Sequence, residues 1–507
     1  MSQGHAAGSA VGGQTVSDEF GVAHLAIANA DPDLWNEDLA PASPAARTWD
    51  WKAIAALWVG MVVCVPTYML AAGLVSEGMN WWQAVLTVLL GNAIVLLPMM
   101  LIGHAGAKHG IPFPVLLRSS FGTSGAKIPA LARGLVACGW FGINTWVGGS
   151  AIYVILNALT GDAVKGTPLP GLGIDLAQTV CFLLFWALHI WFIRHGTESI
   201  RWLETLSAPF LIFMGLALLA WAYIKAGGFG AMLSTPSAFG PGGAKEGQFW
   251  AVFVPGLTAM VGFWATMALN IPDFTRFAKS QRDQIIGQAV GLPLPMALFA
   301  FIGVAVTSAT VTIFGEPIWD PVALAGRMGG FGVVIALFAL LVATITTNLA
   351  ANVVAPAYGF SNLSPSKISF KMGGYITAGI GIAMFPWKLL ETAGAYLFTW
   401  LIGYSALLGP IAGILLADYF LLRKTNLNIG DLFRHDGEYG GDKRWNKAGL
   451  IAFVAGALPC LPGFLNAAGL VSGVPGIFVS IYGYAWFVGL GVSAVVYLLL
   501  AGGKARA

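Results

Sequence analysis

The sequence predicts an all-α integral membrane protein of about twelve transmembrane helices, built as a five-plus-five inverted repeat with two additional C-terminal helices. Three observations carry that expectation. The chain of 507 residues is 57% hydrophobic and only 10% charged, against roughly 25% charged residues in soluble domains. Apolar stretches of roughly 20 residues, enough to cross a bilayer, recur along its length. Helix-breaking and polar features in those stretches repeat at an offset of five.

The apolar stretches fall near 53–77, 82–106, 128–157, 173–194, 203–225, 248–271, 285–315, 330–357, 372–389, 393–422, 447–468 and 475–501, numbered below as spans 1 to 12. Ahead of them, residues 1–46 are rich in Gly, Ala and Ser and carry six carboxylates. They lack the basic and short apolar regions of a cleaved signal, so a disordered cytoplasmic tail is expected. A transport core is expected over 47–422, a cytoplasmic loop over 423–446, and spans 11 and 12 with a short cytoplasmic C-terminus over 447–507.

Lysine and arginine orient the chain. With both termini on one side, that side holds 21 of the 26 basic residues. The other holds Lys165, Lys225, Lys245, Arg327 and Lys388. The positive-inside rule then makes both termini cytoplasmic, in a cell (inner) membrane. The net charge of +3 comes with no basic stripe, so no nucleic-acid partner is implied. The cysteines Cys64, Cys138, Cys181 and Cys460 all sit in apolar stretches without metal-like spacing and read as small core residues.

Span 1 carries Pro66 near its centre, which removes a backbone donor and frees carbonyls nearby. Span 6 carries Pro255-Gly256 and then Gly262-Phe263-Trp264. Polar residues follow the same offset. Trp140 and Asn144 are one turn apart in span 3, sharing a helix face, and Asn348 and Asn352 are one turn apart in span 8. An odd number of helices per repeat forces the halves into opposite topology, as in LeuT-type transporters, which bind substrate at the midplane between discontinuous helices.

Tryptophan in membrane proteins is commonly an interfacial anchor, as Trp81, Trp82, Trp202 and Trp387 at span ends are expected to be. Trp140 and Trp264 lie within spans, where position alone weighs ligand contact and packing equally. Intramembrane asparagine also serves as interhelical glue worth roughly 0.6–2 kcal/mol, and for Asn348 that reading has at least equal weight. Asp273, beside Arg276, Lys279 and Arg282, is expected in a salt bridge. The scarcity of interior charge disfavours a carboxylate or phosphate ligand and suits a neutral heterocycle held by stacking and amide hydrogen bonds. No HExxH, nucleophile elbow, Cys/His cluster or P-loop is present, and His104, His109 and His189 are scattered. No enzyme is expected.

Several segments together resemble the nucleobase:cation symporter-1 family. They are Asn36–Pro41, Arg47-Thr48-Trp49, Gly78–Ala84, Gly110–Val115, Arg118–Gly122, Gly139–Asn144, Asn270–Arg276 and Thr347–Asn352. The resemblance implies a symporter for allantoin, uracil, hydantoin or a related ring, with Na+ or H+ as coupling cation and no other cofactor. It implies that Trp140 and Trp264 sandwich the ring, that Asn144 and Asn352 hydrogen-bond it, and that backbone at Gly262 or Phe263 contributes. It also implies a sodium site from Val62, Val65 and Ala343 carbonyls with the Thr346 and Thr347 hydroxyls. The chain departs from the hydantoin pattern at Asn144, where glutamine is usual, and at Pro66, which replaces an amide. Both changes remodel the polar rim, so the ring is not assigned by analogy. The alternative from another class is a membrane receptor or sensor that binds the same ligand without moving it.

Overall fold

The computed structural model describes residues 11–17, 22–195, 197–328 and 332–502. Helices occupy all twelve expected positions. Eight are individually long and apolar enough to cross a bilayer. Spans 1 and 6 are bent pairs: Trp51–Val62 with Val65–Ser76, inclined at 57°, and Phe249–Phe263 with Ala265–Thr275, inclined at 40°. The remaining two are Thr197–Ala226 and the short Phe370–Ala383. The chain is a multi-pass membrane protein.

The helix breaks do not fall at the prolines that announce them. Pro66 stands in the first turn of the second half of span 1, where its missing N–H is no loss and its fixed φ suits helix initiation. The interruption lies just before it, at Val63 and Cys64, whose backbone leaves the helical region. In span 6, Pro255 is accommodated inside an unbroken helix, and the chain turns at Trp264. Span 8 is interrupted as well, after Asn352, between Gly332–Asn352 and Val354–Leu363.

Packing separates the core into two groups. Spans 1, 2, 6 and 7 form one group, with span 7 packed on spans 1 and 2 and span 6 on span 2, and spans 3, 4, 8 and 9 form another. Each group contains two pairs offset by five (1 and 6, 2 and 7; 3 and 8, 4 and 9), as a five-plus-five repeat requires. Span 5 leans on spans 7 and 8, while spans 10, 11 and 12 pack together beside the core.

The N-terminal region corrects one expectation. Residues 22–46 are folded against the end of the bundle that carries most basic residues. Leu34, Leu39 and Ala40 are fully buried. Ala42 N–H donates to the Gly110 carbonyl at 2.8 Å, Asn36 Nδ2 donates to Ser361 Oγ at 2.7 Å, and Arg276 Nη1 donates to the Asp38 carbonyl at 3.2 Å. The bulk Gly/Ala/Ser composition conceals a short apolar segment with enough partners to order it. The cysteines are free and buried.

Candidate functional site

The two broken helices meet spans 3 and 8 at a cavity of about 40 Å³. One helix group contributes Met61, Cys64 and Pro66 from span 1 and Phe263, Trp264, Thr266 and Met267 from span 6. The other contributes Trp140 and Asn144 from span 3 and Thr347, Ala351 and Asn352 from span 8. Interrupting spans 1 and 6 lets side chains from both halves of each helix reach one depth in the protein.

Aromatic rings brace the walls. Trp140 meets Phe263 edge-on with centroids 5.4 Å apart, and Trp400 and Tyr404 of span 10 at 6.0 and 6.2 Å. Trp264 is held edge-on by Trp58 at 5.1 Å and by Phe263 at 5.0 Å. Such T-shaped pairs are favourable because ring edges are positive and faces negative. They fix the tryptophan planes.

The polar rim is incompletely satisfied. Asn144 Nδ2 donates to the Trp140 carbonyl one turn back at 3.0 Å, leaving Oδ1 buried with no partner. Thr347 Oγ1 and Trp264 Nε1 are likewise buried without partners. A buried polar atom left unpaired costs about 1–3 kcal/mol, so these groups are primed for a hydrogen-bonding ligand. Asn352 Nδ2 donates to Asn348 Oδ1 at 3.0 Å. Asn348 Nδ2 in turn donates to the Phe141 carbonyl at 3.1 Å and lies 3.0 Å from His189 Nε2.

Among the described residues, no Asp, Glu, Lys or Arg borders the cavity. Arg133, in the same helix as Trp140, is buried and directs Nε and Nη2 at Asn270 Oδ1, at 3.0 and 2.5 Å. Asp273 does not form the expected salt bridge. Its Oδ1 accepts the Phe113 N–H at 2.8 Å, at the start of the Phe113–Phe121 helix, while the neighbouring Arg276 turns to backbone carbonyls of the N-terminal segment.

The expected ring-binding residues are brought together with one exception. Trp140, Asn144, Phe263, Trp264 and Asn352 all border the cavity. Gly262 instead faces span 10, where an added Cβ would meet Ser405 Oγ and, at 2.9 Å, the Leu401 carbonyl oxygen. The cation residues are spread more widely. Thr347 borders the ring cavity. Val65 and Ala343 border a second, apolar cavity of about 240 Å³, and Cys64 borders both. Thr346 Oγ1 lies 2.9 Å from the Ala343 carbonyl, and the Val62 carbonyl accepts the Cys64 N–H at 2.9 Å. Among the described residues no cluster of His, Cys, Asp or Glu is arranged for a metal. A cation at the span 1–span 8 contact would have neutral oxygens alone, a donor set that suits a hard monovalent ion.

Sequence reasoning missed the bracing rings of span 10 and the contact between His189 and Asn348. Trp400 and Tyr404 are one turn apart, the same signal that picked out Trp140 and Asn144. His189 carries no such signal.

Residues 41–489 match the family model described as permeases for cytosine/purines, uracil, thiamine and allantoin. The chain belongs to this family. Its members are permeases, not enzymes. Among its relatives, a purine-uracil permease of Arabidopsis thaliana is 49% identical over 473 residues, covering 93% of this chain and 78% of that protein. An allantoin permease of Bacillus subtilis is 41% identical over 472 residues, covering 92% and 93%. The fold matches Mhp1, a nucleobase-cation-symport-1 family transporter. Its inward-facing structure aligns with a TM-score of 0.73 at 26% identity, covering 93% of this chain and 95% of that one. Its closed structure with bromovinylhydantoin bound gives 0.73 at 25% identity, covering 93% and 96%.

Proposed function

We propose that the chain imports a neutral nucleobase-like heterocycle (allantoin, uracil, hydantoin or a close relative) by alternating access, coupled to a Na+ or H+ gradient. The observation that carries this reading is the cavity between the two helix groups, with aromatic walls, an amide and hydroxyl rim and no bordering charge. A charged substrate would lack a counter-ion there, whereas a planar ring can stack on Trp140 or Trp264 while Asn144 and Asn352 meet its edge. The basic-residue asymmetry supports both termini being cytoplasmic. Val62, Val65, Ala343, Thr346 and Thr347 would hold the cation, whose charge would draw the two groups together when bound.

The deciding experiment is uptake of radiolabelled uracil, allantoin and hydantoin into proteoliposomes. It is run with and without an inward Na+ gradient, and with a proton uncoupler. Accumulation that collapses in one arm identifies the ion. Accumulation indifferent to both removes symport, and saturable binding without accumulation makes the protein a receptor. Trp140→Ala and Asn352→Ala are expected to weaken ring binding. A stacked base contributes about 1–3 kcal/mol, so the tryptophan variant should lose roughly 5- to 150-fold in affinity. Wild-type affinity in both variants would put the site elsewhere.

A further inference from the structure

We infer that His189 is a positioning residue that sets the hydrogen-bonding polarity of the cavity, turning the carbonyl oxygen of Asn352 toward the ring and so selecting rings that bring N–H donors. The inference rests on the transport site proposed above and adds a residue that does not touch the ring.

His189 stands in span 4, fully buried, with the edges or faces of Phe141 and Phe185 against its ring at 5.1 and 4.8 Å. Its Nδ1 lies 2.9 Å from the Phe185 carbonyl. A carbonyl only accepts, so Nδ1 carries the proton, and in a neutral imidazole Nε2 is then an acceptor. The group facing Nε2 is Asn348 Nδ2, at 3.0 Å.

Asn348 cannot be turned round. Its Nδ2 also donates to the Phe141 carbonyl at 3.1 Å, and a flipped amide would set oxygen against oxygen there and nitrogen against nitrogen at Asn352. The amide end of Asn348 therefore faces two acceptors, with Thr145 Oγ1 further off at 3.4 Å. Its Oδ1 faces Asn352 Nδ2 at 3.0 Å, which leaves Asn352 Oδ1 free of that contact at the cavity wall. Asn144 arrives at the same polarity independently, because its Nδ2 is bound to the Trp140 carbonyl and its Oδ1 has no partner. Two asparagines whose amide nitrogens are engaged elsewhere thus border one small cavity, with their oxygens left to meet a ligand. The complementary ligand is an imide- or ureide-type ring with two N–H groups. A ring presenting lone pairs at that edge is repelled, since a site built to pair one hydrogen-bonding pattern strongly rejects another.

The test measures competition by uracil and by 1,3-dimethyluracil against radiolabelled uracil in wild-type protein, His189→Leu and His189→Gln. The quantity compared is the ratio of the two affinities. Leucine removes one of the two acceptors that hold Asn348, and the preference for uracil should fall about tenfold, the scale of one hydrogen bond lost with an amide hydrogen left unpaired. Glutamine can offer Oε1 to Asn348 and should keep the ratio within about threefold of wild type. An unchanged ratio in His189→Leu, or equal losses in both variants, overturns the inference while leaving the transport reading intact. Failure of wild-type protein to bind uracil, allantoin or hydantoin overturns the transport reading instead. A second measurement is independent of ligand and of how the leucine variant folds. In 15N-histidine-labelled wild-type protein, the His189 resonances, identified by their loss in His189→Gln, should show a protonated Nδ1 and a pyridine-type Nε2. A protonated Nε2 overturns the inference.

Discussion

Gly262 is the position where one methyl group has most leverage on the cavity. It lies two residues before the turn at Trp264, and its missing side chain lets span 6 approach the Leu401 carbonyl and Ser405 of span 10. Ser405 Oγ can rotate, but the Leu401 carbonyl is part of the helix. Gly262→Ala should therefore push span 6 away from span 10, displacing Phe263 and Trp264. A destabilisation of about 1–3 kcal/mol is expected for such overpacking, read as a lower unfolding temperature in detergent together with weaker ring binding. Unchanged values for both would mean that the two spans separate freely. The residues that border the cavity were legible because tryptophan and asparagine in an apolar helix are conspicuous, and their one-turn spacing puts them on a shared face. Gly262 was recognised as a helix-breaking glycine, but the sequence could not show that span 10 lies against it. His189 was illegible for a different reason, since a lone histidine acquires meaning only when folding places it 3.0 Å from Asn348.

At the scale of elements, proline signalled that spans 1 and 6 are broken but not where. Pro66 starts a half-helix and Pro255 is absorbed within one; the turns lie instead at Cys64 and Trp264, which both border the cavity. The N-terminal segment was misread because composition averaged over 46 residues hides Leu34 and Leu39–Ala42. Arg276 fastens that segment. Its guanidinium is buried and lies 5.1 Å from the centroid of the Tyr358 ring of span 8, while Nη1 reaches the Asp38 and Ala40 carbonyls. Removing the side chain leaves those carbonyls with fewer partners and opens a void between the strap and spans 6 and 8. Arg276→Ala should accordingly raise hydrogen exchange over residues 34–42, by about tenfold or more if one or two kcal/mol of local stability is lost. Exchange identical to wild type would show that Asn36 and the apolar residues hold the segment unaided.

At the scale of the molecule, two groups of four spans meet across the cavity, and coupling requires something that both groups hold. Span 8 meets that requirement. It presents Thr347 and Asn352 to the ring cavity and, one turn before, Ala343 toward the apolar cavity that Val65 of span 1 also borders. A cation held between spans 1 and 8 would bias the same closure that brings Trp264 and Trp140 onto a ring, and such a bias is reciprocal: each ligand raises the other's affinity by one common factor, typically about 5–150-fold for a coupling of about 1–3 kcal/mol. If sodium is the coupling ion, uracil affinity should rise by such a factor when choline is replaced by sodium, and sodium affinity should rise equally when uracil is added. Thr347→Ala, which removes the unpartnered hydroxyl, should bring both factors toward one. A wild-type factor of one in both directions would exclude sodium at this contact and leave the proton as the coupling ion. A factor that survives intact in the double variant Thr346→Ala/Thr347→Ala would move the cation away from the span 1–span 8 contact altogether, because no hydroxyl among the five proposed residues remains there to hold it.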